Sequence, residues 1–360
     1  MMENRFFRKL LCGMVVCLNA AAQAPPDAID LSTPAARQTT VRAKRLKALQ
    51  RKQEAETVVQ RQGGVVRGVT PDGRLFELIA LEDGRPVYFI TNNANAAIST
   101  AADLVRNTAP YSVNGSGHTV GVWDGGSVRA THQEFGGRVN VVDSVGTSYH
   151  ATHVAGTIGA AGVVANAEGM APSVTIDSYD WTSDASEMSG CAATFPGEAG
   201  TIYLSNHSYG LLTGWATGDW SSSSGPHWWG TWGEAEDRNF GRYDTSYAQD
   251  WDAICYAAPY FLPFKSAGND RNDGAPSNGT TFYYYDGGWQ SKTYVSGSDP
   301  AGDGAVNGGY DTIGRRGVAK NIMTVGAVND AVSGGARSVA NGTMVSYSGW
   351  GPTDDGRIKP

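Results

Sequence analysis

In the second part of the chain, short apolar segments of strand length alternate with segments of helical spacing. Short apolar runs of strand length recur at residues 119–123, 139–142, 174–178, 202–205, 260–265 and 322–328. Stretches with helical spacing fall between several of them, at residues 150–161, 184–194 and 244–258. Strands that alternate with helices indicate βαβ units, so the pattern predicts an α/β fold around a central, mostly parallel sheet.

Polar residues directly follow three of these apolar runs. Asp124 follows the first run, His207 and Ser208 follow the fourth, and Asn269 follows the fifth. In open α/β sheets, ligands bind outside the carboxyl ends of the strands. We therefore expect an active site where these side chains meet at one edge of the sheet.

The N-terminal region has a different pattern. Residues 34–62 predict a solvated helix whose apolar stripe consists of Val41, Leu46, Leu49 and Val58. Residues 74–91 predict a β-hairpin that turns at Asp83 and Gly84. Residues 23–108 are thus expected to form a small α+β segment ahead of the larger body at 109–360.

The first residues have the pattern of a secretory signal peptide. Three basic residues precede a short apolar run at 10–18, and small residues around Ala22 offer a cleavage site. The run is shorter than the roughly 20 residues that a membrane-spanning helix needs. We therefore expect residues 1–22 to be removed and the protein to be secreted or periplasmic in a bacterium.

Charge is distributed unevenly along the chain. Residues 1–67 carry 12 Lys and Arg against 5 Asp and Glu, a balance of +7, and the remainder carries 16 against 30, a balance of -14. A body this acidic repels phosphate backbones, which argues against nucleic-acid binding. The chain contains 41% hydrophobic residues, enough to build a sizeable core, and 47 glycines, which favour a turn-rich fold over a helical bundle.

His150 and His153 open the second predicted helix at spacing i, i+3. A metal-dependent hydrolase could use both, but no further cluster offers a convincing third ligand, and the His-Glu-x-x-His arrangement is absent. A histidine at a helix start, followed by small residues, suits a general base held against a buried carboxylate. We expect Asp124 to hydrogen-bond to His150 and His153 to pack within its own helix.

Together these segments resemble the subtilisin-like serine proteases, the subtilases. The similarity covers roughly residues 117–360, and its motifs occur in the family's order. They are Val120-Gly121-Val122-Trp123-Asp124-Gly125-Gly126, His150 to Thr157, Leu204 to Gly210, Ala267-Gly268-Asn269, Lys320 to Val328, and Tyr347 to Pro360. The family's fold has three layers around a central parallel sheet. The resemblance also implies a pro-segment, here residues 23–108, that acts as an intramolecular chaperone and inhibitor.

The resemblance implies an acyl transfer through a serine. His150 would be the general base, Asp124 would orient it, and Asn269 would bind the oxyanion. The strand at Ser208, Tyr209 and Gly210 would pair with a peptide substrate.

The family's serine motif is not present in this sequence. Gly146-Thr147-Ser148 precedes His150 and is followed by a tyrosine, and Gly342-Thr343-Met344 lacks the serine. We expect the nucleophile to lie beyond Pro360, the catalytic domain to be incomplete at its C-terminus, and this fragment alone to be inactive. A non-catalytic peptide-binding protein with the same fold is the alternative.

Three further features leave alternatives open. Cys191 and Cys255 could pair or remain buried thiols. Six tryptophans between residues 215 and 251 could form a wall of the substrate cleft, a sugar-stacking surface or a satellite core. The acidic loop at 270–311 is either solvated or, as the resemblance suggests, a structural calcium site; no other cofactor is expected.

Overall fold

The computed structural model describes residues 29–69, 75–82, 84–91, 102–106, 109–163, 167–329, 331–333 and 336–360. The predicted signal peptide, with its proposed cleavage after Ala22, lies outside the described residues. No helix in the described part of the chain is both long and apolar enough to cross a membrane.

The N-terminal segment consists of a long helix and a three-stranded antiparallel sheet. Its elements are α1 (Pro34–Arg61), β1 (Arg67–Val69), β2 (Leu75–Glu82) and β3 (Arg85–Thr91). Thr33 caps the helix because its hydroxyl accepts a hydrogen bond from the backbone N–H of Ala36 at 3.1 Å. The helix and the hairpin are where the sequence predicted them.

The buried face of α1 differs from the predicted stripe. Leu46 and Leu49 are 59% and 45% exposed, whereas Ala55 and Val59 are buried. The helix packs against β2 and against a helix of the body, and those two contacts select its face. The predicted stripe was wrong at its two leucines because the elements that pack against the helix bury a different face.

The body is built on a six-stranded parallel sheet. Its strands are β4 (Thr119–Asp124), β5 (Val139–Val141), β6 (Thr175–Asp180), β7 (Leu204–His207), β11 (Leu262–Ser266) and β14 (Met323–Val325), in the order β14-β11-β7-β4-β6-β5. Every neighbouring pair is parallel. The remaining strands are β8 (Tyr209–Leu211), β9 (Trp215–Gly218), β10 (Gly225–Trp228), β12 (Thr281–Tyr285), β13 (Trp289–Thr293), β15 (Val332–Ser333) and β16 (Ala336–Arg337).

Helices cover both faces of this sheet. They are α2 (Tyr149–Gly159), α3 (Asp184–Cys191) and α4 (Ala248–Ala257). Val122 lies in a core with residues of α2, whereas its neighbour Trp123 lies in a second core with residues of α3 and α4. Successive side chains of a strand point to opposite faces, so the sheet separates two apolar layers. The predicted α/β class and three-layer arrangement are confirmed.

Candidate active site

Asp124 is the last residue of β4, a strand inside the parallel sheet. Its side chain is completely buried. Oδ1 accepts a hydrogen bond from the backbone N–H of Gly125 at 2.8 Å, and Oδ2 lies 2.7 Å from Nδ1 of His150. The carboxylate therefore has a fixed direction, toward the imidazole.

His150 lies in the first turn of α2. Ser148 caps this helix, since its hydroxyl accepts a hydrogen bond from the N–H of Ala151 at 3.1 Å. The loop after Asp124 approaches the cap closely at Gly126, where a Cβ would come within 2.6 Å of the carbonyl oxygen of Gly146. Glycine at 126, at a φ of 136°, thus allows the strand end and the helix start to meet.

The protonation geometry of His150 follows from its partner. A carboxylate only accepts, so the bond to Asp124 places the ring proton on Nδ1 and leaves the lone pair on Nε2. Nε2 is buried and has no hydrogen-bond partner among the described residues. An imidazole held in this way can accept a proton from a hydroxyl placed against Nε2.

The second histidine of the motif does not share this site. His153 lies on the exposed side of α2, so the expectation that it packs inside was wrong. Within the described ranges, no three His, Cys, Asp or Glu side chains are grouped as metal ligands.

Asn269 lies in the loop after β11, and its side chain is half-buried. β11 is parallel to β7, which is parallel to β4, so Asn269 and Asp124 follow the same edge of the sheet. Its amide makes no hydrogen bond to another described residue. The structure brings Asp124 and His150 into contact and places Asn269 at the same edge, where its amide has no partner among the described residues.

The strand predicted to bind substrate already has a partner. β3 of the N-terminal segment pairs antiparallel with β8, so that Thr91 faces Tyr209 and Ile90 faces Gly210. Ser208, just before β8, accepts a hydrogen bond from the Asn206 amide at 3.0 Å. Sequence patterns located both strands but gave no sign that they pair.

A buried polar network holds the side chain of Tyr209, the first residue of β8. The Tyr209 hydroxyl donates to Oδ2 of Asp184 at 2.7 Å and lies 3.0 Å from Nδ1 of His207. Burial, followed by the positive charge of Lys265, holds the pKa of His207 well below its usual range. The expectation that His207 meets the active-site side chains was wrong, because this residue is fully buried and is a neutral structural group in the core.

Charged side chains of the N-terminal segment reach the edge that carries Asp124. Arg67 donates to the carbonyl oxygen of Gly125 at 2.8 Å and pairs with Glu77 at 3.2 Å. Glu77 is buried and also accepts from Lys52 and from the Trp181 indole, both at 2.6 Å. Sequence reasoning missed this cluster because its members are scattered along the chain and belong to no motif.

The tryptophans of the insertion after β8 are packed inside the protein. Trp215 and Trp228 form one buried cluster with Phe282, and Trp220 and Trp229 belong to another. Trp251 lies in the main core, and Trp232 is half-buried. This arrangement agrees with the satellite-core interpretation.

Both cysteines of the body, Cys191 and Cys255, are free thiols in the structure. Burial raises the pKa of each to about 12. Cys191 and Cys255 therefore form no disulfide bond with each other in this structure.

A model of the subtilase family matches residues 115–360, which is more than half of the chain. A comparison with curated proteins gave no match.

Three solved structures are similar to the chain. A psychrophilic protease shares 14% identity, over 72% of this chain and 67% of that one, with a TM-score of 0.36. The patellamide maturation protease PatA shares 18% identity over 68% and 65%, with a TM-score of 0.37. A cold-adapted subtilisin-like serine proteinase shares 19% over 57% and 82%, with a TM-score of 0.27. The chain spans about two thirds of the length of the first two.

Proposed function

The chain belongs to the subtilase family, and from this premise we propose that it is a secreted serine endopeptidase in which Asp124 and His150 form two members of an Asp-His-Ser triad. The observation that carries the proposal is the 2.7 Å contact between their buried side chains, with Nε2 of His150 lacking a partner among the described residues. This is the geometry that a general base needs.

In the proposed reaction, a serine hydroxyl attacks the carbonyl carbon of the scissile peptide bond. Nε2 of His150 takes the hydroxyl proton as the new C–O bond forms, and Asp124 stabilises the resulting imidazolium. The negative charge that develops on the carbonyl oxygen is stabilised by the Asn269 amide. His150 then returns the proton to the leaving nitrogen as the C–N bond breaks, and water later removes the acyl group by the same route.

The nucleophilic serine of the triad is a proposed residue and not an observed one. No hydroxyl of the described residues hydrogen-bonds to Nε2 of His150. We place the serine beyond Pro360, as the order of the family motifs implies. Residues 1–360 alone are then expected to be inactive.

The substrate is proposed to be a polypeptide that adds to β8 as an extended strand. Main-chain hydrogen bonds along such an edge bind a peptide without regard to sequence. The pairing of β3 with β8 supports this because it demonstrates that the edge accepts an antiparallel strand. It also supports the proposal that residues 23–108 inhibit the enzyme, since β3 occupies the edge that substrate would need.

Ion pairs connect the N-terminal segment to the body, as expected for an inhibitor that stays bound. Glu82 of β2 forms an ion pair with Arg315, which is buried and also contacts Asp244. Lys44 of α1 pairs with Asp250 at 3.1 Å. The pair of Lys44 with Asp250 has the sense of the opposite net charges of the two parts of the chain, whereas the pair of Glu82 with Arg315 has the reverse sense.

Export of the protein remains a proposal that rests on the leader pattern. A structural calcium ion is also still a prediction. Within the acidic loop, Asp299 accepts from Lys292 and Asp303 accepts from the N–H of Trp215, so these carboxylates are engaged by the protein.

The test uses the full-length protein as its gene encodes it, treated with a fluorophosphonate and assayed on casein. We expect labelling of one serine and cleavage of casein. His150→Ala should abolish labelling and lower the rate by several orders of magnitude, whereas His153→Ala, an exposed change in the same helix, should leave both nearly unchanged. Peptide binding without labelling or cleavage would instead favour the non-catalytic alternative. Labelling at Ser148 would contradict the assignment of roles.

A further inference from the structure

A cavity of about 610 Å³ lies between helix α1 of the N-terminal segment and the body. One wall is formed by α1, from Ala36 to Arg51, and the opposite wall by the first turns of α3 and α4. Binding sites for small molecules commonly have volumes of about 300–1,000 Å³. This space, which we call the interface cavity, is therefore large enough to hold a small organic molecule.

Contacts between the two parts of the chain fix the walls of the interface cavity. The Ser186 hydroxyl donates to the carbonyl oxygen of Val41 at 2.7 Å, and Lys44 pairs with Asp250 at 3.1 Å. Ala43, which lies between these contacts on α1, lines the cavity with a side chain that is too short to fill it. The space is therefore left open between elements that are held in place.

Charged side chains of both parts line the interface cavity. The cations are Lys44, Lys47, Arg51 and Arg316, and the carboxylates are Asp30, Asp184 and Asp250. Two of the carboxylates already have a cation, because Asp184 pairs with Arg316 and Asp250 pairs with Lys44. The third, Asp30, is exposed and accepts a hydrogen bond from the N–H of Ser32 at 2.9 Å. The positive charges thus outnumber the negative ones.

Lys47 and Arg51 are the cations of the interface cavity that have no carboxylate partner in the described part of the chain. Arg51 is half-buried, whereas Lys47 is exposed and lies at the rim. A guanidinium that is partly shielded from water forms strong charge-assisted hydrogen bonds with an anion. These two side chains therefore favour a negatively charged group in the cavity.

The body supplies hydroxyl groups from the opposite wall. Ser183 precedes α3 and makes no capping hydrogen bond with its side chain, and Ser246 is half-buried before α4. Hydroxyl groups donate readily to the oxygens of phosphates and carboxylates. The buried side chains of Ile79 and Tyr247 also line the cavity, which suits the carbon skeleton of an organic anion.

We propose that the interface cavity binds a small organic molecule with an oxyanion group, a phosphate or a carboxylate, and that this ligand fastens the N-terminal segment to the body. A ligand that contacts both walls binds only while the two parts are together, so it stabilises that arrangement. At ten times its Kd, it should lower the population of the detached arrangement roughly tenfold. The inference goes beyond the proposed function, because it concerns the attachment of the segment and requires no catalysis.

The test uses the full-length protein with His150→Ala, so that the proposed activity cannot remove the N-terminal segment. Inorganic phosphate and citrate are titrated separately by calorimetry at constant ionic strength, with chloride as the reference anion. We expect saturable binding of at least one of the two and none of chloride. The anion that binds, at ten times its Kd, should slow hydrogen exchange over residues 34–61 by roughly tenfold.

Two arginines of α1 provide a matched pair of variants. Arg51→Gln should weaken binding at least about tenfold, because it removes the half-buried cation of the cavity. Arg45→Gln removes the same charge from an exposed position of α1 that does not line the cavity, and should change Kd by less than about twofold. Ser246→Ala, in the opposite wall, should weaken binding about threefold or more.

Each outcome decides a different question. If neither phosphate nor citrate binds, or if Arg45→Gln weakens binding as much as Arg51→Gln, the inference is overturned. Binding that leaves hydrogen exchange over residues 34–61 unchanged refutes the fastening of the segment. None of these results bears on the peptidase function, which fluorophosphonate labelling of the wild-type protein tests separately.

Discussion

His150 and Asp124 are 26 residues apart in sequence, yet Nδ1 and Oδ2 lie 2.7 Å apart inside the protein. One comes from the start of a helix and the other from the end of a strand in the sheet that the helix covers. Because both elements are packed in the core, the contact is pre-organised. Its consequences for catalysis can be tested one residue at a time.

Asp124→Asn in the full-length enzyme should keep the fold and lose most of the activity. An amide in place of the carboxylate can donate to Nδ1, which moves the ring proton to Nε2 and removes the base. We expect kcat to fall by roughly four orders of magnitude. Asp177→Asn is the control, since Asp177 lies on the neighbouring strand β6 and its carboxylate accepts a hydrogen bond from the exposed Asn140 amide. Similar losses in both variants would remove Asp124 from the mechanism.

Glu77→Ala should loosen the N-terminal segment from the body. The change removes, from a partly buried site, the carboxylate that accepts hydrogen bonds from both Lys52 and the Trp181 indole. Breaking such a pair costs on the order of 3 kcal/mol. Hydrogen exchange over residues 29–69 and 75–91 should speed up accordingly. Glu54→Ala, at an exposed residue of α1, should change exchange by little; equal effects would mean that Glu77 does not hold the segment.

Glu187 should make the protein less stable as pH rises. Burial, followed by the negative charge of Asp143, raises its pKa to about 8 in the folded state. Between about pH 4.5 and 8, the folded state holds a proton that the unfolded state has released, so the free energy of unfolding falls as pH rises, by at most about 1.4 kcal/mol per unit.

Urea unfolding of the wild type and of Glu187→Gln across pH 5–8 measures this effect. Glutamine still accepts from the Trp123 indole, which donates to Glu187 at 2.8 Å, so the hydrogen bond is retained. The variant should lose less stability with pH than the wild type. Parallel pH profiles would show that Glu187 titrates in its usual range.

The thiols of Cys191 and Cys255 should be inert in the folded protein. Both are free, and burial raises the pKa of each to about 12, which leaves almost no thiolate at pH 8. Alkylation mapped by mass spectrometry should modify the two peptides only after unfolding in guanidinium. A disulfide-linked pair of these peptides in the unreduced digest would contradict the structure.

Local patterns in the sequence were sufficient to predict the helices and the parallel strands of the body. The strands and helices lie close to the predicted positions because apolar spacing along each segment reports which face is buried. Asp124 and His150 were recognised for a similar reason, since each lies in a short motif at the end of a predicted element. Alternation of strand and helix then predicted that the strands are parallel and, with that, the edge of the sheet where polar residues follow them.

Contacts between distant segments were decided only by the tertiary structure. Glu77 and Trp181 are 104 residues apart, and no periodicity links them. The same holds for the pairing of β3 with β8 and for the choice between Trp228 and Trp229 as the one that faces Tyr88. The leucines of α1 show the limit most clearly: a helical stripe predicts that a face can be buried, but the partner that packs against the helix determines which face is buried.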